Sequence, residues 1–352
     1  MIFNKDSSGS QELKQLIGFI FASIDFDNLK SYIEMGERDV KKIISSEVFK
    51  VALDHYTSEN FQKQVETSTE GEPEDAHPEY LTLDELVLKV QYPVAIGAYR
   101  KYAPSNDITH SDKGRQIFVS DEEKPAFEWQ IEKDNENLLS LYHEAVDMLL
   151  EFLDEHIDDT VPTGDPEVQT PLLPWGTTKE YEATKQLFIN SADDFEQYFS
   201  IHRSRMVFLA LLPSMTRVQE GQIKPCFTEG KFTELKEQIL DDDLSEDNKP
   251  LVELAASALA LISMSVAIKR LSIELLPNGL FQNYTTSVIK SKAASPKVDR
   301  NEVSINLERD GMKELRRLQD LLHKMEIESS GVTEITTDLA DRFDPALKFA
   351  RL

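Results

Sequence analysis

The chain has 352 residues, with 38 Lys and Arg against 64 Asp and Glu and a formal net charge of −26. Such a surface repels phosphate backbones and anionic lipid at long range, so wrapping nucleic acid for affinity is disfavoured, while DNA can still pass nearby. A single cysteine, Cys226, excludes an intrachain disulfide framework and suits a reducing compartment.

Hydrophobic content of 40%, with 18 Phe and 10 Tyr, is enough for a real core, and the length suits two ordinary domains. No signal peptide is expected, because Lys5, Asp6 and the polar SSGSQE run occupy the start. The longest uncharged apolar run, Leu254–Ile268, falls short of the roughly 20 residues a membrane span needs. It reads as a buried core helix of a soluble chain.

In chain order, Gln11–Ile24 is an amphipathic helix with Leu13, Leu16, Ile17, Ile20 and Phe21 inward. Asp27 or Asn28 can cap the next helix, Leu29–Asp54. Glu66–Tyr80 reads as an acidic surface loop. Leu83–Lys101 is helical again, with Thr82 and Glu85 as a capping box, a bend or break near Pro93 and Gly97, and Pro104 as its end. Short β-like pieces follow at Gln116–Val119 and at Ala126–Ile131, where Phe127, Trp129 and Ile131 alternate with polar residues. A long helix then spans Asp134–His156.

Val161–Gly176 holds four prolines and two glycines, so no regular element is expected to run through it. Beyond it the order of parts recurs. Tyr181–Asn190 is a first helix, Asp194-Phe195 stands where Asp25-Phe26 stood, and Glu196–Pro213 is a second helix. Gly230–Asn248 repeats the acidic loop, and Leu251–Leu276 is the most apolar helix. Further β-like pieces lie at Tyr284–Ile289 and Val303–Leu307. Ile131-Glu132-Lys133-Asp134 aligns with Leu307-Glu308-Arg309-Asp310 at an offset of 176 positions.

These recurrences predict a mainly α (α+β) fold of two tandem, diverged helical-bundle units, each with a β-hairpin inserted before its last long helix. Unit 1 is 1–160 with a hairpin arm at 107–132, and 161–176 is the linker. Unit 2 is 177–325 with a hairpin arm at 278–306, and 326–352 is a C-terminal arm. That arm either serves a neighbouring subunit or packs back on its own domain. The linker fixes how one unit sits on the other and offers Leu172, Leu173 and Trp175 as an exposed contact.

Motifs for chemistry are weak. His143-Glu144-Ala145-Val146-Asp147 begins like a zinc-protease motif, but Asp147 stands where the second histidine must be. Asp241–Asp247 lacks the spacing and glycine of an EF-hand loop. His110-Ser111-Asp112 are consecutive, whereas a triad is assembled in space. Cys226 has no motif around it, and Ser257, Ser263 and Ser265 suit close helix packing. Arg203 with Arg205, and Arg316 with Arg317, are more suited to pairing with carboxylates than to binding phosphate. No enzyme, cofactor or metal site emerges.

The segment Leu187–Ala192, the Phe195–Leu212 run with Arg205, and Val90–Arg100 followed by Asn135–Leu150 resemble the head–tail connector (adaptor or head-completion) proteins of tailed phages. The likeness is to a duplicated type found in phages of Bacteroidetes. It covers most of residues 10–325 as patterns of packing residues. It implies a structural, non-enzymatic virion protein, made in the host cytoplasm, forming a ring at the portal vertex. Implied partners are further copies of itself, the portal protein, tail-side completion proteins, and DNA passing without specific binding; no membrane is involved. An acidic lumen would keep translocating DNA from sticking. Oligomer contacts are expected at Gln116, Ile117, Phe118 and Val119, at Tyr284, Val288 and Ile289, and at Phe343 and Phe349. Another phage assembly protein, such as a tail terminator, or a non-viral cytoplasmic scaffold are the alternatives.

Overall fold

A computed structural model describes residues 1–18, 25–61, 78–107, 109–111, 114–116, 127–162, 169–241, 243–270 and 297–330. They form a mainly helical protein. Its helices are α1 (Gly9–Ile17), α2 (Phe26–Thr57), α3 (Pro78–Asn106), α4 (Glu128–Glu155), α5 (Lys179–Lys185), α6 (Ala192–Glu196), α7 (Arg205–Val218), α8 (Glu229–Leu240), α9 (Lys249–Arg270) and α10 (Lys297–Ser330). Two antiparallel hairpins accompany them. β1 (Thr109–Ser111) pairs with β2 (Gly114–Gln116), and β3 (Thr160–Pro162) pairs with β4 (Gln169–Pro171).

Buried side chains fall into two clusters. The first gathers Ile2, Phe3, Leu13 and Ile33 with residues of α3 and α4, and closes on Leu173 and Trp175. The second runs from Leu187 through α7, α8 and α9 to Leu315 and Leu318 of α10. In each half the last long helix packs on the long helix before it, α4 on α3 and α10 on α9. Helix α9 is long and apolar enough to cross a membrane, yet 72% of its apolar window is buried inside the protein.

Glycines set the closest helix approaches. A Cβ at Gly36 of α2 would lie 2.6 Å from the Val94 carbonyl oxygen of α3. One at Gly311 of α10 would lie 2.5 Å from Cγ1 of Ile262 in α9. Helix α2 is itself two segments joined at Ser45, whose φ of 74° lies where L-residues are strained. The Ser45 hydroxyl accepts from Val48 N at 3.3 Å and so recaps the second segment.

The first residues are received by buried polar groups. Ile2 N donates to Glu37 at 2.7 Å, and Gln91 Nε2 donates to the Ile2 carbonyl at 2.6 Å. The Tyr56 hydroxyl donates to the buried Glu12 carboxylate at 2.9 Å. Because backbone groups cannot be buried unpaired, these side chains are what allow Ile2 and Phe3 to enter the core.

Several boundaries differ from the sequence reading. Asp25 is the N-cap of α2, its carboxylate accepting from Asp27 N at 3.2 Å, rather than Asp27 or Asn28. Helix α3 begins at Pro78, so Thr82 lies inside it, and the helix runs through Pro93, Gly97 and Pro104 to Asn106. Packing on α2 and α4 outweighs the bond each proline forfeits. The expected helix Tyr181–Asn190 stops at Lys185. Leu187–Ile189 instead form a buried connection, held where Gln219 accepts from Phe188 N at 2.9 Å and donates to the Gln186 carbonyl at 2.8 Å.

Glu196–Pro213 is not one helix: α6 ends at Glu196 and α7 begins at Arg205, because His202 and Arg203 between them are left-handed and the Glu196 carboxylate collects Ile201 N and Arg203 N at 2.8 and 3.0 Å. Gly230–Asn248 is no mere loop. Thr228 caps α8 by accepting from Lys231 N, and α8 buries Phe232 and Leu235.

Two strand readings are also corrected. Of Ala126–Ile131, residues 128–131 form the first turn of α4 with Phe127 as its N-cap, and Val303–Leu307 lies inside α10; Ala126 is outside the described residues. An alternation of five residues also places its first and fifth on one helical face, so the pattern was ambiguous. Phe127 N donates to the Gln130 side chain at 3.0 Å and starts α4 there. In α10 the buried stripe Ser304, Gly311, Leu315 and Leu318 has helical spacing. The hairpin β1–β2 lies within the expected arm at 107–132; Gln116 ends β2, and 117–119 lie outside the described residues. Within Val161–Gly176 the chain forms β3, β4 and a 3-10 turn, Pro174–Thr177. Leu173 and Trp175 are buried in the first cluster, not offered as an exposed contact. The stretch at 271–296, including the expected strand Tyr284–Ile289, lies outside the described residues, as does the arm from 331 onward.

Candidate functional site

Where the two clusters meet, the Pro-rich segment, α4, α5, α6 and α7 enclose a cleft of about 290 Å³. Trp175 forms one wall, its Nε1 donating to the Asp154 carboxylate at 2.8 Å and its ring meeting Tyr181 edge-on at 5.8 Å. The Lys185 ammonium lies 5.0 Å from the Tyr181 ring centroid. Arg205, the first residue of α7, reaches across to Glu151 at 3.6 Å, Asp154 at 3.4 Å and Asp193 at 3.8 Å. Arg203 pairs with the same Asp193 at 3.4 Å.

These arginines therefore serve carboxylates, and the cluster ties α4 to α6 and α7. Burial pushes the Asp154 carboxyl above its usual range, with Trp175 and Arg205 opposing that shift. Desolvation likewise raises Asp147, whose carboxylate accepts Met206 N at 2.8 Å at the start of α7. A carboxylate on the first N–H groups of a helix satisfies an orphan donor and complements the dipole. Asp147, which stands where a zinc-protease motif needs its second histidine, is a cap donated by one half of the chain to a helix of the other.

The remaining chemical candidates do not converge. Among the described residues, no three His, Cys, Asp or Glu side chains are grouped so as to hold a metal ion. Cys226 Sγ sits beside the Gln222 carbonyl at 3.3 Å and Gln319 Nε2 at 3.4 Å. His110 and Ser111 pair across the first hairpin with Arg115 and Gly114, and Asp112 lies outside the described residues. Ser265 and Ser304 are joined at 3.0 Å between α9 and α10, as the small-residue reading of α9 anticipates. His55 Nε2 and Asp84 form a buried pair at 2.7 Å between α2 and α3, which sequence alone could not pair across 29 positions.

Of the residues expected to make oligomer contacts, Gln116 ends β2 and pairs with Thr109. Ile117, Phe118, Val119, Tyr284, Val288, Ile289, Phe343 and Phe349 lie outside the described residues. What sequence reasoning missed is the exposure of the helix entries. Phe127 and Trp129 at the start of α4, and Val303 and Ile305 at the start of α10, are all exposed large apolar residues. The alternation of apolar and polar residues at both places is the signal the sequence offers.

Fold and site together define a mainly helical, strongly acidic protein with two hydrophobic cores and a small hairpin before α4. Residues 41–163 and 223–328 match a single family model, described as a family of unknown function (DUF6712). Since the match covers more than half of the chain, the protein belongs to that family. No curated protein and no solved structure matches it.

Proposed function

We propose that this protein is a structural component of a tailed-phage virion, forming a ring at the portal vertex that connects head to tail and lines the DNA channel. The observation that carries this reading is the hairpin β1–β2, inserted between α3 and the exposed start of α4 on an acidic helical body. This is the layout that the resemblance to connector proteins implies. Strands of three residues cannot stand alone, and their outer edges suit addition of a strand from a neighbour. Carboxylates in excess give a ring lumen a negative potential that keeps DNA mobile.

On this reading the two halves are diverged copies, and the protein is not an enzyme. Its partners are its own copies, the portal and tail-side completion proteins, with Gln116–Val119 and Tyr284–Ile289 as contact strands. The test is negative-stain microscopy of the purified chain and of a deletion of Gln116–Val119. Closed rings that vanish on deletion, with helical circular dichroism retained, are the expected result. Rings unaffected by the deletion refute the strand contact, and a chain that never closes into rings refutes the ring.

A further inference from the structure

The exposed apolar residues at the two helix entries occupy the same positions of the two halves. Phe127, Trp129 and Ile131 stand 176 positions before Val303, Ile305 and Leu307, the offset that aligns Asp134 with Asp310. Within one chain neither entry covers the other, since Trp129 is 48% and Ile305 59% exposed. An unpartnered isoleucine and tryptophan at matched places call for a common explanation.

Their surroundings differ in charge. Helix α4 carries nine carboxylates against Lys133 alone, whereas α10 balances eight carboxylates with seven Lys and Arg. On α10, Ile305, Arg309, Met312 and Arg316 are all exposed and fall at helical spacing on one stripe, about a third of a turn from the face that holds Gly311 and Leu315 against α9. On α4, Trp129 heads an exposed stripe with Glu132 and Glu136. One stripe is apolar and basic, the other aromatic and acidic.

We propose that these two faces bind each other between copies. The start of α4 in one chain seats Trp129 against Ile305 and Met312 of α10 in the next, with Arg309 and Arg316 meeting the α4 carboxylates. Aromatic and arginine side chains are the usual energetic centres of such contacts. Because the two faces are different surfaces of the same chain, the contact is head-to-tail. It propagates into a ring or an open chain according to the rotation it imposes. The contact names a surface for the ring proposed above, yet it stands apart from the hairpin strands and does not require that the assembly close.

The test is sedimentation velocity on the full chain and three exposed-surface variants, each checked for an unchanged circular-dichroism spectrum. Trp129→Ala, and separately Arg309→Glu with Arg316→Glu, are expected to weaken self-association by at least about tenfold, the loss of one central anchor. Adding Glu132→Arg and Glu136→Arg to the arginine-reversed chain is expected to restore it, because the reversed faces again attract. Association unchanged by Trp129→Ala, a monomeric wild-type chain, or no restoration by the double reversal each overturns the contact. Micrographs separate this from the ring reading. Closed rings that survive Trp129→Ala overturn the contact alone, and open chains that dissolve with it support the contact and refute the ring.

Discussion

Replacing Gly36 with alanine tests the packing of α2 on α3 where the Gly36 backbone meets the Val94 carbonyl. Alanine favours a helix over glycine by about 1 kcal/mol, so on propensity alone the change stabilises. The geometry opposes it. The new Cβ would lie 2.6 Å from the Val94 carbonyl oxygen and 3.3 Å from Val94 Cγ1. That oxygen is backbone and cannot rotate away, so the helices must part by several tenths of an ångström along a face lined by Ile33, Val40 and Val94. Overpacking of this kind costs about 1–3 kcal/mol, and against the gain in propensity the net expectation is a loss of up to about 2 kcal/mol. Both tryptophans, Trp129 and Trp175, lie in the first half, and Trp175 is in its core, so fluorescence during urea unfolding follows the relevant transition. Gly230→Ala in α8 is the control, since its Cβ would meet nothing within 4 Å, and it is expected to be neutral or slightly stabilising. A Gly36→Ala midpoint at or above that of the wild type refutes the reasoning.

Two further tests concern buried polar groups. Burial raises the Asp147 carboxyl in the folded state, so its contribution to stability is present on the acid side and is lost as pH rises through the folded value. Asp147→Asn keeps an acceptor for Met206 N without the charge. The stability of the variant relative to wild type is therefore expected to grow between about pH 4 and pH 7, and a constant difference in denaturation midpoints refutes this. In α9, the buried Ser263 hydroxyl has no hydrogen-bond partner, whereas Ser304 donates to the Ser265 carbonyl and accepts from its hydroxyl. Ser263→Ala is expected to stabilise by about 1 kcal/mol and Ser304→Ala to destabilise by about 1–3 kcal/mol, by calorimetry; the same sign for both refutes the assignment.

Long periodic segments were legible without coordinates. The stripe Leu138, Ala145, Val146, Leu149 and Leu153 announced α4, and the apolar run of α9 announced a buried helix, because helical spacing over many turns admits one reading. Short signals failed for the same reason in reverse. Five alternating residues at Phe127–Ile131 or Val303–Leu307 fit a strand or a helix equally. The prolines of Val161–Gly176 correctly marked a break in helix, but they did not forbid the hairpin β3–β4, whose paired ends include Pro162 and Pro171. Arg205 was rightly assigned to carboxylates on charge balance. That those were Glu151, Asp154 and Asp193, drawn from two different helices, had no local signature.

Composition and periodicity by themselves determined that this is an acidic, mainly helical chain with enough apolar residues for two cores, since those properties sum over many residues. Tertiary packing decided the rest, wherever one residue had to choose between partners far apart in the chain. It carried α3 through Pro93 and drew Ile2 into the core on Glu37 and Gln91. It buried Trp175 against Asp154 in place of leaving it on the surface, and it left Trp129 and Ile305 exposed. Whether an apolar side chain is covered depends on what lies across from it, and sequence spacing carries no record of that.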